Sequence, residues 1–93
     1  MPKIADKTLV QQTLSGDKRA FGELVDRYKG VVFGLALNRL KDFEEAKDVA
    51  QEAFIEAYLK LETLRELAKF SNWLYTIAAN LCRMRLRQKG GRP

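Results

Sequence analysis

The 93-residue chain carries 17 Lys and Arg against 12 Asp and Glu, a formal charge of +5, and is long enough for one hydrophobic core but not for two. It has no histidine and a single cysteine, Cys82, which excludes an internal disulfide and leaves a zinc site without its usual ligands. No apolar run reaches the length of a membrane span, and polar Lys3, Asp6 and Lys7 leave no room for an apolar signal-peptide core. A cytoplasmic protein with no membrane partner, metal or cofactor is expected, with Cys82 as a small packing residue.

Helical periodicity dominates, and no stretch alternates apolar and polar residues over the length of a strand. A first short helix is predicted from Asp6 to Leu14, stopped by Ser15-Gly16. Asp17 can cap a second helix carrying Phe21, Leu24, Val25, Tyr28, Val31, Val32, Leu35, Ala36 and Leu40 at three- and four-residue steps. Gly30 and Gly34 lie on it one turn apart; each costs roughly 1 kcal/mol of helix propensity, and close helix packing is the expected compensation. Lys41-Asp42 breaks the pattern, and Asp42 with Glu45 three residues later reads as a capping box opening a third helix that reaches about Glu62. An irregular link, Thr63 to Lys69, leads to a fourth helix from Phe70 or Ser71 to about Arg87. Residues 1–88 are therefore expected to form an all-α compact bundle of about four helices. Residues 89–93, with Gly90-Gly91-Arg92-Pro93, read as the start of a flexible linker to a further domain.

The third helix has two faces. At about 100° per residue, Phe43, Ala46, Ala50, Ala53, Phe54, Ala57 and Leu61 fall on a core side. Asp48, Gln51, Glu52, Ile55 and Leu59 lie within roughly 40° of a common, opposite direction. Solvent has no need of Ile55 and Leu59, and an apolar pair beside acids and an amide suits a protein-binding ridge: charge steers, and aliphatic groups supply burial. An ordinary solvated face holding two stray aliphatics is the alternative. Carboxylates at Glu44, Glu45, Asp48 and Glu52 could in principle gather Mg²⁺, but from one helix they need further ligands to close a coordination sphere.

Charge is concentrated at the other end. Residues 1–66 hold 11 Lys and Arg against 12 acids, whereas residues 67–93 hold six Lys and Arg and no acid. In the fourth helix, Phe70, Leu74, Ile77, Ala78 and Leu81 form the inward stripe, and Lys69, Asn72, Thr76, Asn80, Arg83 and Arg87 face away, with Trp73 on the margin nearest Asn80. Each type has a use on an unpaired nucleic-acid strand. Cations neutralise phosphates, Asn offers a donor and an acceptor to a base edge, and an indole is a stacking plane.

At these residues the chain resembles a known family, the extracytoplasmic-function (ECF) sigma factors of the sigma-70 family, in their N-terminal domain, region 2. The likeness runs from Leu9-Val10-Gln11-Gln12 through Gly16-Asp17 and Ala20-Phe21-Gly22-Glu23-Leu24-Val25-Asp26-Arg27-Tyr28 to the tail. Its most specific stretches are Asp48-Val49-Ala50-Gln51-Glu52-Ala53-Phe54 and the run Phe70 to Asn80, FSNWLYTIAAN. The resemblance implies that Asp48, Gln51 and Glu52, with Ile55 and Leu59 extending the ridge, meet the β′ clamp helices of RNA polymerase core. It implies that the link, about Leu64 to Lys69 and including Arg65, together with the outer side of the fourth helix, holds the separated non-template strand of the promoter minus-ten element. A flipped base would sit against the link, and Asn80 would touch the DNA. Many members have glycine in the link soon after an arginine; here Glu66 follows Arg65. One Trp73 followed by Leu74 matches the alternative sigma factors rather than the paired aromatics of primary ones, which implies stricter promoter choice. The family's minus-thirty-five reading domain has no counterpart in these residues.

The expected function is a non-catalytic transcription initiation factor domain whose third helix docks on polymerase while the fourth captures exposed bases. A helical protein-interaction adaptor, or a nonspecific polyanion-binding module, is the competing reading. An anti-sigma protein is a further partner implied by the family.

Overall fold

Helix boundaries fall where a side chain or a special backbone angle can replace missing hydrogen-bond partners. A computed structural model describes residues 3–90 and contains, among them, four α-helices and no strand: α1 (Asp6–Leu14), α2 (Lys18–Leu40), α3 (Phe43–Leu59) and α4 (Phe70–Gly90). Gly16 closes α1 with φ +106°, in the left-handed region that favours glycine. Asp17 Oδ1 accepts from the Arg19 N–H at 3.0 Å to open α2, and Asp42 Oδ1 accepts from the Glu45 N–H at 2.9 Å to open α3. Between these caps Lys41 adopts φ 58° and donates its N–H to the Leu37 carbonyl at 2.8 Å, so a non-glycine residue makes the left-handed stop of α2. Only half of the expected capping box forms, because the Glu45 carboxylate turns to Lys89 Nζ, 2.9 Å away.

The core is built where the helical stripes converge. Val10, Leu24, Val32, Val49, Phe70, Leu74 and Cys82 are the largest fully buried side chains, and full burial of each large apolar group contributes about 1.5–3 kcal/mol. Ala46, Ala53 and Ala57 are completely covered, so α3 settles between α2 and α4 with little side-chain bulk in the seam. Phe33 meets Phe43 and Phe21 meets Tyr58, which sets α2 and α3 antiparallel. Glu45 meets Lys89 and Glu52 meets Arg85, which sets α3 and α4 antiparallel.

Several sequence expectations need correction. Phe43 is 58% exposed: as the first residue of α3 it projects past the end of the seam, because Cα–Cβ bonds tilt toward a helix N-terminus. Its ring lies edge-on to Phe33, with the Lys47 ammonium 6.0 Å from its centroid. On α2, Val32 takes the core position and Val31 turns outward. Gly30 and Gly34 are exposed, and a Cβ built on either meets nothing within 4 Å, so close packing does not explain them. On α4, Cys82 rather than Leu81 is the fully covered residue.

The third helix ends three residues early, at Leu59, and the chain continues in a 3-10 turn over Leu61–Thr63. The link is also more ordered than expected, since a second 3-10 turn, Leu67–Lys69, runs straight into α4. Leu61 and Leu64 are buried beneath it and anchor it. At the far end α4 continues through Gly90, past the predicted boundary near Arg87; the remainder of the predicted linker, residues 91–93, lies outside the described residues.

Candidate functional site

Two surfaces stand out on the bundle. On α3, Asp48, Gln51, Glu52, Ile55 and Leu59 are all exposed, as the helical geometry predicted. Ile55 is 60% and Leu59 71% exposed, which is a large apolar area to leave in water. Two shallow grooves flank the pair. One, of about 270 Å³ and walled wholly by apolar atoms, runs between Ile55, Leu59, Phe21 and Tyr58; the other, about 290 Å³, runs between Ile55, Leu59, Lys60 and Leu81. A ridge with a groove on either side is the shape that accepts side chains of another helix or helix pair. Tyr58, absent from the sequence reading, and Leu81, expected on the inward stripe of α4, also line this surface. Tyr58, three residues beyond Ile55, had the spacing to reveal itself.

The acids of α3 do not form a cation site. Glu44 pairs with Lys47 at 3.8 Å, Glu45 with Lys89 at 2.9 Å and Glu52 with Arg85 at 3.3 Å. No cluster of three His, Cys, Asp or Glu side chains able to hold a metal occurs among the described residues.

The second surface is where the link meets α4. Leu64, Arg65, Glu66, Lys69, Asn72, Trp73 and Thr76, with Thr63, line an open, shallow groove of about 560 Å³. Five predicted residues, Arg65, Lys69, Asn72, Trp73 and Thr76, are thus brought around one cavity. Thr76 is held by its own helix, donating Oγ1–H to the Asn72 carbonyl at 3.0 Å. Glu66 pairs with Lys69 Nζ at 2.9 Å and so forms part of the groove's rim. Asn80, Arg83 and Arg87 are exposed further along α4 and do not line the groove.

The basic surplus of α4 is divided by the direction each side chain faces. Arg85 and Lys89 turn to the acids of α3, whereas Lys69 meets Glu66 in a solvent-exposed pair weak enough for a phosphate to displace. Arg83 and Arg87 have no carboxylate partner among the described residues, so they are the helix's freely available cations.

Beneath the groove lies a fixed support. Trp73 is half-buried and packs on Phe70, with ring centroids 6.0 Å apart. Phe70 packs on Tyr28 at 5.9 Å, and Tyr75 meets Tyr28 edge-on at 6.1 Å. The Tyr28 hydroxyl donates to Asp6 Oδ2, and Asp6 Oδ1 accepts from Arg27 Nη1 at 2.8 Å. Arg27 also donates to the Ile4 carbonyl at 2.6 Å. Desolvation, reinforced by the Asp6 carboxylate that accepts its proton, pushes the Tyr28 phenol up to about 12, while Ser71 acts in the opposite direction. Burial likewise pushes the Cys82 thiol up, against Arg39 and Arg85. That marks Cys82 as an inert packing residue.

Comparison with known proteins identifies the family. The Sigma-70 region 2 family profile matches residues 24–92. RNA polymerase sigma-H factor of Pseudomonas aeruginosa is 46% identical over 88 residues, covering 95% of this chain and 46% of that protein. The ECF RNA polymerase sigma factor SigW of Bacillus subtilis is 43% identical, over 89% of this chain and 44% of its own length. The ECF RNA polymerase sigma-E factor of Escherichia coli is 40% identical, over 98% and 47%. The chain thus spans a little under half the length of these relatives. Among solved structures, an NMR structure of an engineered region 2 of sigmaE in complex with GTAAAA superposes with a TM-score of 0.86 at 38% identity, covering 97% of this chain and 95% of that one. The all-helical bundle, the matched profile and these relatives place the chain in the sigma-70 region 2 family, among the ECF RNA polymerase sigma factors.

Proposed function

We propose that this chain is the part of a sigma factor that docks on RNA polymerase core and holds the opened promoter. In this reading the α3 ridge of Asp48, Gln51, Glu52, Ile55 and Leu59 seats on the β′ clamp helices. The groove between link and α4 then takes a base flipped out of the non-template strand of the minus-ten element. Asn72 and Thr76 offer hydrogen-bonding groups inside the groove, and Trp73 offers its ring face. Asn80, Arg83 and Arg87 follow the strand along the outer side of α4, Asn80 at a base edge and the two arginines at phosphates. Arg65 and Lys69 neutralise phosphates at the rim.

The observation that carries this reading is the groove itself, a cavity with a half-buried indole and cationic rims, on a fold whose sigmaE relative was solved with GTAAAA. Mechanistically the domain is a binding device and not an enzyme: unstacking a base costs a few kcal/mol, and stacking with base-edge bonds in a protein pocket offsets it, so the open promoter gains over the duplex. The partners are polymerase core, promoter DNA and, by kinship, an anti-sigma protein. The place of action is the cytoplasm.

Fluorescence anisotropy of a labelled single-stranded minus-ten oligonucleotide tests the strand-holding surface. Trp73→Ala is expected to cost about 1–3 kcal/mol, roughly fivefold to 150-fold in Kd, and Asn80→Ala is expected to weaken the matched sequence more than a scrambled one. If neither substitution matters while Arg83→Ala and Arg87→Ala weaken every sequence equally, the chain is a nonspecific polyanion binder.

A further inference from the structure

The link has a second side. A second, open cleft of about 450 Å³ shares Arg65, Glu66 and Lys69 with the base-sized groove as a common wall and is lined otherwise by Lys7 of α1, Leu67 and Ala68. Lys7, Arg65 and Lys69 bring three cations to it against the single carboxylate of Glu66, whose charge is engaged by Lys69 at 2.9 Å. Lys7 and Arg65 are exposed and have no ion pair among the described residues. The cleft thus has a net positive lining, and its walls offer no aromatic plane or amide for a base. That composition fits a phosphodiester rather than a nucleobase.

The backbone at Lys7 is held in place. Its neighbour Asp6 is clamped by Arg27 and by the Tyr28 hydroxyl, and α1 packs directly against the second 3-10 turn of the link. We infer that Lys7, with Arg65 and Lys69, forms a phosphate seat on the α1 side of the link, which receives the backbone of single-stranded DNA next to the nucleotide whose base enters the Trp73 groove. A strand straddling the wall would place a base on one side and the neighbouring phosphate on the other, with Arg65 and Lys69 serving both. The inference rests on the strand-binding reading above, and it extends the DNA surface to a helix that reading leaves unused.

The test is anisotropy titration of the 93-residue chain with the minus-ten oligonucleotide from 50 to 300 mM salt, for the native protein, Lys7→Ala, Lys7→Arg and Trp73→Ala. Loss of one phosphate contact is expected to weaken binding roughly fivefold at the low-salt end and to reduce the slope of log K against log salt by about 0.7; Lys7→Arg should retain both. Oligonucleotides carrying a neutral methylphosphonate at one linkage at a time should locate the seat: at one linkage beside the captured base, Lys7→Ala should cause no further loss. If Trp73→Ala weakens binding while Lys7→Ala leaves affinity and slope unchanged, the phosphate seat is wrong and the base groove stands. If Lys7→Ala weakens binding equally at every neutralised linkage, the lysine acts through general charge and the seat is likewise overturned. No response to either substitution overturns the strand-binding reading itself.

Discussion

The α3 ridge allows stability and docking to be separated quantitatively. Truncating Ile55 and Leu59 to alanine removes three carbons from each, worth about 2.4 kcal/mol per residue if moved wholly from water to an apolar setting. In the free domain Ile55 is 60% and Leu59 71% exposed, so most of that transfer is still to be made when a partner arrives. Scaling by those fractions gives about 1.5 kcal/mol for each residue, about 3 kcal/mol together and roughly a 150-fold weaker Kd for polymerase core. The part already buried in the fold, about 1.7 kcal/mol for the pair by the same scaling, is partly offset by alanine's better helix propensity, so the double substitution should cost folding stability only about 1 kcal/mol. Surface-immobilised core polymerase titrated with native and doubly substituted chain, beside a thermal melt of each, makes both measurements. Affinity unchanged within threefold would remove the ridge as the docking surface, and a melting temperature lowered by ten degrees or more would show that these side chains serve the fold.

Two further outcomes follow from the interior and from α2. Gly30→Ala and Gly34→Ala, on an exposed helical face where an added Cβ meets nothing within 4 Å, should each stabilise the domain by up to about 1 kcal/mol, raising the melting temperature by several degrees; unchanged or lower values would show that the face is not open. Tyr28 loses its proton near 10 in the unfolded chain but only at about 12 in the fold. The folded state keeps a proton that the unfolded state releases, so this residue's contribution is complete below pH 10 and is lost as pH rises toward 12. Denaturant unfolding at pH 9 and pH 11.5 should therefore show a larger fall for the native chain than for Tyr28→Phe, and equal falls would contradict the shift.

Legibility in the sequence followed the range of the interactions involved. Asp17 and Asp42 announced their helices because capping acts over two or three residues. Ile55 and Leu59 announced the ridge because apolar residues at a polar angle need only helical geometry to be noticed. Phe43 misled because periodicity carries no knowledge of where a neighbouring helix ends. On the fourth helix Arg83 and Arg87 fall on the predicted outward row and Arg85 and Lys89 do not, because about 200° of helical rotation separates Arg83 from Arg85; that Arg85 and Lys89 meet acids there needs the placement of α3. Lys7 was illegible for the same reason on a larger scale, since only the packing of α1 on the link brings it beside Arg65.

The rings beneath the groove form a column, from Trp73 through Phe70 to Tyr28, footed on Asp6 and Arg27. The outermost plane therefore takes its tilt from a stack whose base lies at the opposite end of the sequence. In the proposed strand-holding role, discrimination among nucleotides is in this sense inherited from the interior. Two chains with identical groove linings but different footings would aim the same indole differently, so related factors can diverge in what they read without altering a single residue that touches DNA.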